Sequence, residues 1–144
     1  IGNQEEQVVH AVSDGVLIED VINFMRTDNM IILRVKDSSI VENGIKRAQS
    51  IVGVEYDFDF NFSDSNRFSC TEVVDYCYPG LFKKSKRFWR EVLVPDDIAM
   101  SPSIEVIWDS RVHQARWSTI SGVQPLWDAF SDKKKMRIRM RTVD

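Results

Sequence analysis

Cys70 is the residue whose neighbours best suit it for chemistry. It stands between Phe68-Ser69 and Thr71-Glu72-Val73-Val74, where an extended stretch turns into a short helix stopped by Pro79-Gly80. A cysteine that opens a helix faces backbone N–H groups lacking intrahelical partners and the positive end of the helix dipole. Both favour the thiolate, the nucleophilic form. The same N–H groups are placed to hold an oxyanion. The plain alternative is a buried structural thiol. Cys77, in the apolar part of the same helix, fits that alternative better. Two helical turns separate the two sulfurs by about 10 Å, too far for a bridge within one intact helix.

His10 is the second candidate. It interrupts the apolar run Val8-Val9-His10-Ala11-Val12, where it is either a satisfied strand histidine or a group that orients a neighbouring base or thiol. His113 lies in the polar run Arg111-Val112-His113-Gln114 and reads as a surface histidine. Tyr56, Asp57, Phe58 and Phe60 precede the nucleophile. Tyr56 and Asp57 are candidates for substrate binding, and Asp57 is also a candidate for holding the cysteine loop by hydrogen bonds. The plain reading of the alternating aromatics is core packing. With two His and two Cys, no CxxC and no HExxH, no metal site is expected. The sequence also lacks a P-loop and a GxGxxG, and no cofactor is expected.

These residues need elements to position them. Residues 7–12 read as a strand ended by the turn Ser13-Asp14-Gly15. Residues 16–26 carry Val21, Ile22, Phe24 and Met25 at helical spacing. Residues 30–35 read as a buried strand. Ser39 with Glu42 makes a capping box, and the helix behind it should bury Ile40, Val41, Ile45, Ala48, Ile51 and Val52 before Gly53 closes it. Residues 56–62 alternate aromatic and polar with period two, as a strand or extended loop. The basic stretch 83–90 reads as a solvated face, Pro95-Asp96-Asp97 as a turn and 103–108 as a strand. The tail 135–141 alternates Lys or Arg with Met136, Ile138 and Met140, as an edge strand does. Helices and strands mix without βαβ alternation, so the fold class is α+β.

The 144 residues make one domain, 1–144, with 111–144 as a C-terminal extension of less defined character. Apolar residues are 43% and charged residues 28%, a globular balance. Nineteen basic against twenty-two acidic residues leave a net charge of −3, so no nucleic-acid partner held by bulk charge is expected. The basic tail leaves contact with an anionic membrane surface as a weaker reading. No apolar run approaches the ~20 residues of a membrane span. The start, Ile1-Gly2-Asn3-Gln4-Glu5-Glu6, has no Met, basic cluster or apolar stretch, so no signal peptide is seen and a processed or trimmed chain is expected.

Four motifs in order carry a family resemblance. They are Val9-His10-Ala11 with Gly15-Val16; Gly53-Val54 with Tyr56-Asp57-Phe58; Phe68-Ser69-Cys70-Thr71-Glu72-Val73-Val74; and Val94-Pro95-Asp96-Asp97-Ile98-Ala99 with Ser101-Pro102. Together they resemble the permuted papain-like cysteine hydrolases, the YiiX/YebB-like branch of the NlpC-type superfamily, over about residues 1–110.

The resemblance implies a circularly permuted papain-like domain, with an antiparallel sheet packed against a helix that carries the cysteine at its N-terminus. It implies Cys70 as nucleophile and His10 as the residue orienting the base. Glu72 matches the family's glutamate without a required catalytic role. The base histidine would lie about fifteen residues before His10, upstream of Ile1, so the chain is expected to lack its N-terminal segment and, alone, to be inactive. The implied activity is cleavage of a peptide or peptidoglycan-type amide, or a lipid amide or ester, through a thioester, in the bacterial envelope or cytoplasm. The rivals are an acyltransferase on the same scaffold and a binding domain that has lost its base.

Overall fold

The computed structural model describes residues 7–27, 29–87, 89–110 and 138–140. His113, Trp117, Trp127 and most of the extension 111–144 lie outside the described residues. Strand β1, Gln7–Val12, turns at Ser13-Asp14 and returns as β2, Gly15–Asp20, in antiparallel register from Gln7 opposite Asp20 to Val12 opposite Gly15. The helical spacing expected over residues 16–26 is therefore corrected. Only Val21–Phe24, α1, is helical, and Val16 to Asp20 pair as a strand. Tertiary pairing has overridden a short periodic pattern.

Strand β3, Ile31–Val35, is central in a second sheet. It pairs antiparallel with β6, Ile104–Asp109, on one side and with β7, Ile138–Met140, on the other. Between them come a 3-10 turn at Ser38–Ile40, α2 (Val41–Ser50) and α3 (Cys70–Cys77). A small hairpin follows, β4 (Ser85–Arg87) with β5 (Arg90–Val92), then α4 (Pro95–Ala99). Pro95 thus opens a helix where a turn was expected, its ring suited to the first helical position. The expected Ser39–Glu42 box is also corrected: Asp37 supplies the cap, accepting the Ser39 N–H at 2.9 Å.

The main apolar cluster joins Ala11, Val16, Leu33 and Val35 of the strands to Val73, Val74 and Cys77 of α3, with Ala48 and Ile51 behind them. The α+β class holds, built from small antiparallel sheets and helices. Of the six residues expected to be buried behind α2, Ala48 and Ile51 are, while Val52 is exposed. Among the described residues, no helix is long and apolar enough to cross a membrane.

Helices α2 and α3 approach closely at Gly44. A Cβ there would sit 2.6 Å from the ring of Tyr78, which is itself buried and has little room to swing away. Helix propensity alone favours alanine over glycine by about 1 kcal/mol. Overpacking a filled core costs about 1–3 kcal/mol, and this is the larger effect. Gly44→Ala is therefore expected to lower stability by urea denaturation; a gain would show that the helices do not pack this tightly.

Candidate active site

A hydrogen-bonded ribbon delivers the chain to the start of α3. Gly53 donates its N–H to the Val16 carbonyl, and Val16 donates to the Val54 carbonyl, both at 2.8 Å. This close approach needs Gly15, which has φ +112° and where a Cβ would meet the Val54 oxygen at 2.6 Å. One residue on, Glu55 bridges Arg67, and Phe68 donates to the Glu55 carbonyl at 3.0 Å. The hairpin that carries His10 thus holds residues 53–55, and these hold Phe68. Ser69 follows in extended conformation (φ −80°, ψ 171°), and Cys70 is the first residue of α3.

Cys70 is solvent-exposed and Cys77 is buried. The Thr71 and Cys70 backbone N–H groups at the helix start act on the Cys70 sulfur in favour of its thiolate. A thiolate or a developing oxyanion needs donors of this kind at a helix start. The protein packed around the sulfur nonetheless raises the thiol above its ordinary value. The two N–H bonds oppose this, and the Glu72 carboxyl adds to it. The lowering expected from a helix terminus is therefore corrected: desolvation outweighs the terminus where no cation among the described residues acts on the thiol. Burial pushes Cys77 further, to about 12.

The loop between the ribbon and α3 turns the expected alternation inside out. Asp57 is fully buried, while Phe58 and Phe60 are 65% and 47% exposed. Its Oδ1 accepts the Asp59 N–H at 2.9 Å and its Oδ2 accepts the Asn61 N–H at 2.5 Å. An irregular loop leaves backbone donors without strand partners, and a carboxylate turned inward collects them. Of the two roles expected for Asp57, these bonds belong to holding the loop. Arg67 ties the outer side, reaching Asp59 at 3.2 Å and Asp64 at 3.3 Å, and Arg90 donates to the Asp59 carbonyl at 2.9 Å. The basic stretch thus contributes Arg90 to this loop, and its Lys84 pairs with Asp75 of α3 at 2.7 Å.

Tyr56 is half-buried, with Phe58 and Phe60 rings at 4.8 and 6.5 Å. Burial raises its hydroxyl pKa, followed by the neighbouring charges of Cys70, Glu72 and Asp57, so all three lie around it. Charge interactions thus link Tyr56 with Cys70, Glu72 and Asp57, and Cys70 with Glu72.

His10 is placed differently. Val9 and Ala11 enter the cluster shared with α3, while Val8 packs with Val21 and Phe24. The His10 ring meets Phe24 edge-on at 5.3 Å, and its Nε2 lies 3.2 Å from Glu19. Strand alternation therefore puts His10 on the other face of β1 from the residues that pack with α3. Glu19 was missed because its strand was read as helix; in a hairpin it stands diagonal to His10. Glu72 was matched without a role, though its spacing from Ser69 is that of a capping box. Among the described residues, no group of three or more His, Cys, Asp and Glu is arranged to hold a metal.

A mixed α and β domain with an exposed cysteine opening a helix is an arrangement that a thiol hydrolase can use. The comparison with known families agrees. Residues 1–125 match the permuted papain-like amidase enzymes, YaeF/YiiX, C92 family. The chain belongs to this family, one of papain-like amide hydrolases. No curated protein and no solved structure matches it.

Proposed function

We propose that this protein cleaves amide bonds through a thioester on Cys70. The observation that carries the reading is the exposed Cys70 at the first position of α3, where the helix-start N–H groups of Cys70 and Thr71 favour its thiolate. The thiolate attacks the amide carbonyl carbon, and helix-start N–H groups stabilise the tetrahedral oxyanion. The carbon–nitrogen bond breaks, and the amine leaves with the proton that the base took from the thiol. Water then attacks the thioester and regenerates the thiol. The base is proposed to be a histidine preceding Ile1, as the family resemblance implies, with His10 as the residue proposed to orient it. The His10 ring lies with Glu19 and Phe24 on the face of β1 away from the residues that pack with α3, and this placement does not favour that task.

Tyr56 is proposed to line the substrate cleft, with the exposed rings of Phe58 and Phe60 beside it. These favour an apolar group on the substrate near the scissile carbonyl.

The test is to trap the intermediate. The natural protein is incubated with peptide p-nitroanilides and acyl esters, quenched in acid and mapped by mass spectrometry. An acyl adduct on the Cys70 peptide is expected. Turnover without an adduct at Cys70, or with one elsewhere, overturns the assignment. Adding an amine acceptor separates hydrolysis from acyl transfer, because a transferase yields the new amide in place of the acid.

A further inference from the structure

We propose that the hairpin of β4 and β5 docks this protein on an anionic lipid bilayer, with Trp89 seated among the headgroups and Arg87 and Arg90 pairing with lipid phosphates. The inference goes beyond amide cleavage and does not depend on Cys70 being the nucleophile.

Trp89 lies in the turn between the two strands and is 100% exposed. A tryptophan ring left wholly in water forgoes one of the largest apolar burials a side chain can make. Its backbone is unfavourable as well. Its φ is +72°, in the left-handed region that glycine or asparagine normally fills at hairpin turns. Among the described residues one other non-glycine residue has a positive φ, Phe60 at +51°, and its ring is exposed too. Arg90 joins the two places. It follows Trp89 in the chain, and it donates at 2.9 Å to the carbonyl of Asp59, the residue before Phe60. Two aromatic residues within the reach of one arginine side chain thus break the rules of both burial and backbone. Such exceptions gather at functional sites.

The surrounding charge names the partner. Residues 83–91 hold five cations and one carboxylate. Lys84 is paired with Asp75, and Glu91 stands opposite Lys86. Arg87 stands directly opposite Arg90, and both are exposed. Like charges in that position repel. Among the described residues neither arginine forms an ion pair with a carboxylate. An anion held between them relieves the repulsion. The hairpin is anchored from below, so it can bear a load: Phe82 and Leu93 on either side of it are buried, and the Ser85 hydroxyl donates to Asp97 at 3.0 Å. A projecting tip of one ring and two guanidinium groups offers much less than the ~800 Å² per partner of a stable protein interface. A bilayer needs no matching cavity. Its interface takes up an aromatic ring at headgroup level, and its anionic lipids attract the adjacent cations.

The natural protein, Trp89→Gly and Arg87→Gln are sedimented with phosphatidylcholine vesicles, with and without phosphatidylglycerol. The natural protein is expected to bind the anionic vesicles at least about tenfold more tightly than the neutral ones, and more weakly as salt is raised. Trp89→Gly should weaken binding about tenfold or more, and Arg87→Gln about fivefold. The melting temperature of Trp89→Gly should equal or exceed that of the natural protein, because glycine suits a φ of +72°. A lower melting temperature would show that Trp89 serves the fold, and would overturn the proposal. Absent binding to anionic vesicles, equal binding to neutral ones, or unchanged binding in Trp89→Gly would do the same. So would a dimer in solution that Trp89→Gly dissociates, because a second copy of the chain would then cover the tip. None of these readouts involves Cys70, so the thioester test stands or falls separately.

Discussion

Replacing Cys70 with alanine is expected to lower amide turnover in the natural protein by on the order of 10⁴-fold. The thioester route needs a nucleophile at the helix start, and the next nearest thiol cannot serve. Cys77 is buried two turns down α3, and its thiol is pushed up to about 12. The substitution removes one exposed sulfur and leaves the capping bond from Ser69 to Glu72 intact, so the fold should survive. A melting curve matching that of the natural protein checks this. His10→Ala should cost less than Cys70→Ala, because it removes at most an orienting group while the nucleophile and the helix-start donors remain. Retained turnover in Cys70→Ala would end the nucleophile assignment whatever His10 does.

The start of α3 was legible because its signals are local. The extended Phe68-Ser69 before the helix and Pro79-Gly80 after it mark both ends without tertiary information, and the Ser69–Glu72 cap, equally local, went unread. The loop before it was not legible in the same way. Tyr56 to Phe62 carries the alternation of a strand, yet among the described residues no strand pairs with it. Asp57 then gains more from collecting the Asp59 and Asn61 donors than the phenylalanines gain from burial. Sequence alone shows the pattern and not which side of it faces inward. The β2 segment failed for a related reason. Val16, Leu17 and Ile18 suit a helix or a strand over so short a window, and only their pairing with Ala11, His10 and Val9 decides between them. That error also hid Glu19, the partner of His10. The family motifs located Cys70 through the spacing of residues along the chain. They carried no information on which face of β1 the His10 ring occupies, because that depends on the packing of α1 through Phe24.

Iodoacetamide at about pH 8 is expected to modify Cys70 at least 10²-fold faster than Cys77, roughly, since only the thiolate reacts. Two effects act in the same direction. Cys70 is exposed and Cys77 is buried, which limits access of the reagent. With its thiol at about 12, Cys77 holds only about 10⁻⁴ of its sulfur as thiolate at that pH. The pH profile of Cys70 carries further information. In the 144-residue chain its midpoint should lie above the ordinary ~8.5, because desolvation outweighs the Thr71 and Cys70 N–H bonds. If a histidine from a preceding segment pairs with it in the natural protein, the midpoint should fall below that value, as a thiolate–imidazolium pair requires. Peptide mapping after timed labelling measures both sites in one experiment. Equal rates at the two cysteines would mean that the helix start is not open to an electrophile of even this small size. A peptide amide could then not reach it either, and the thioester mechanism would have to be abandoned.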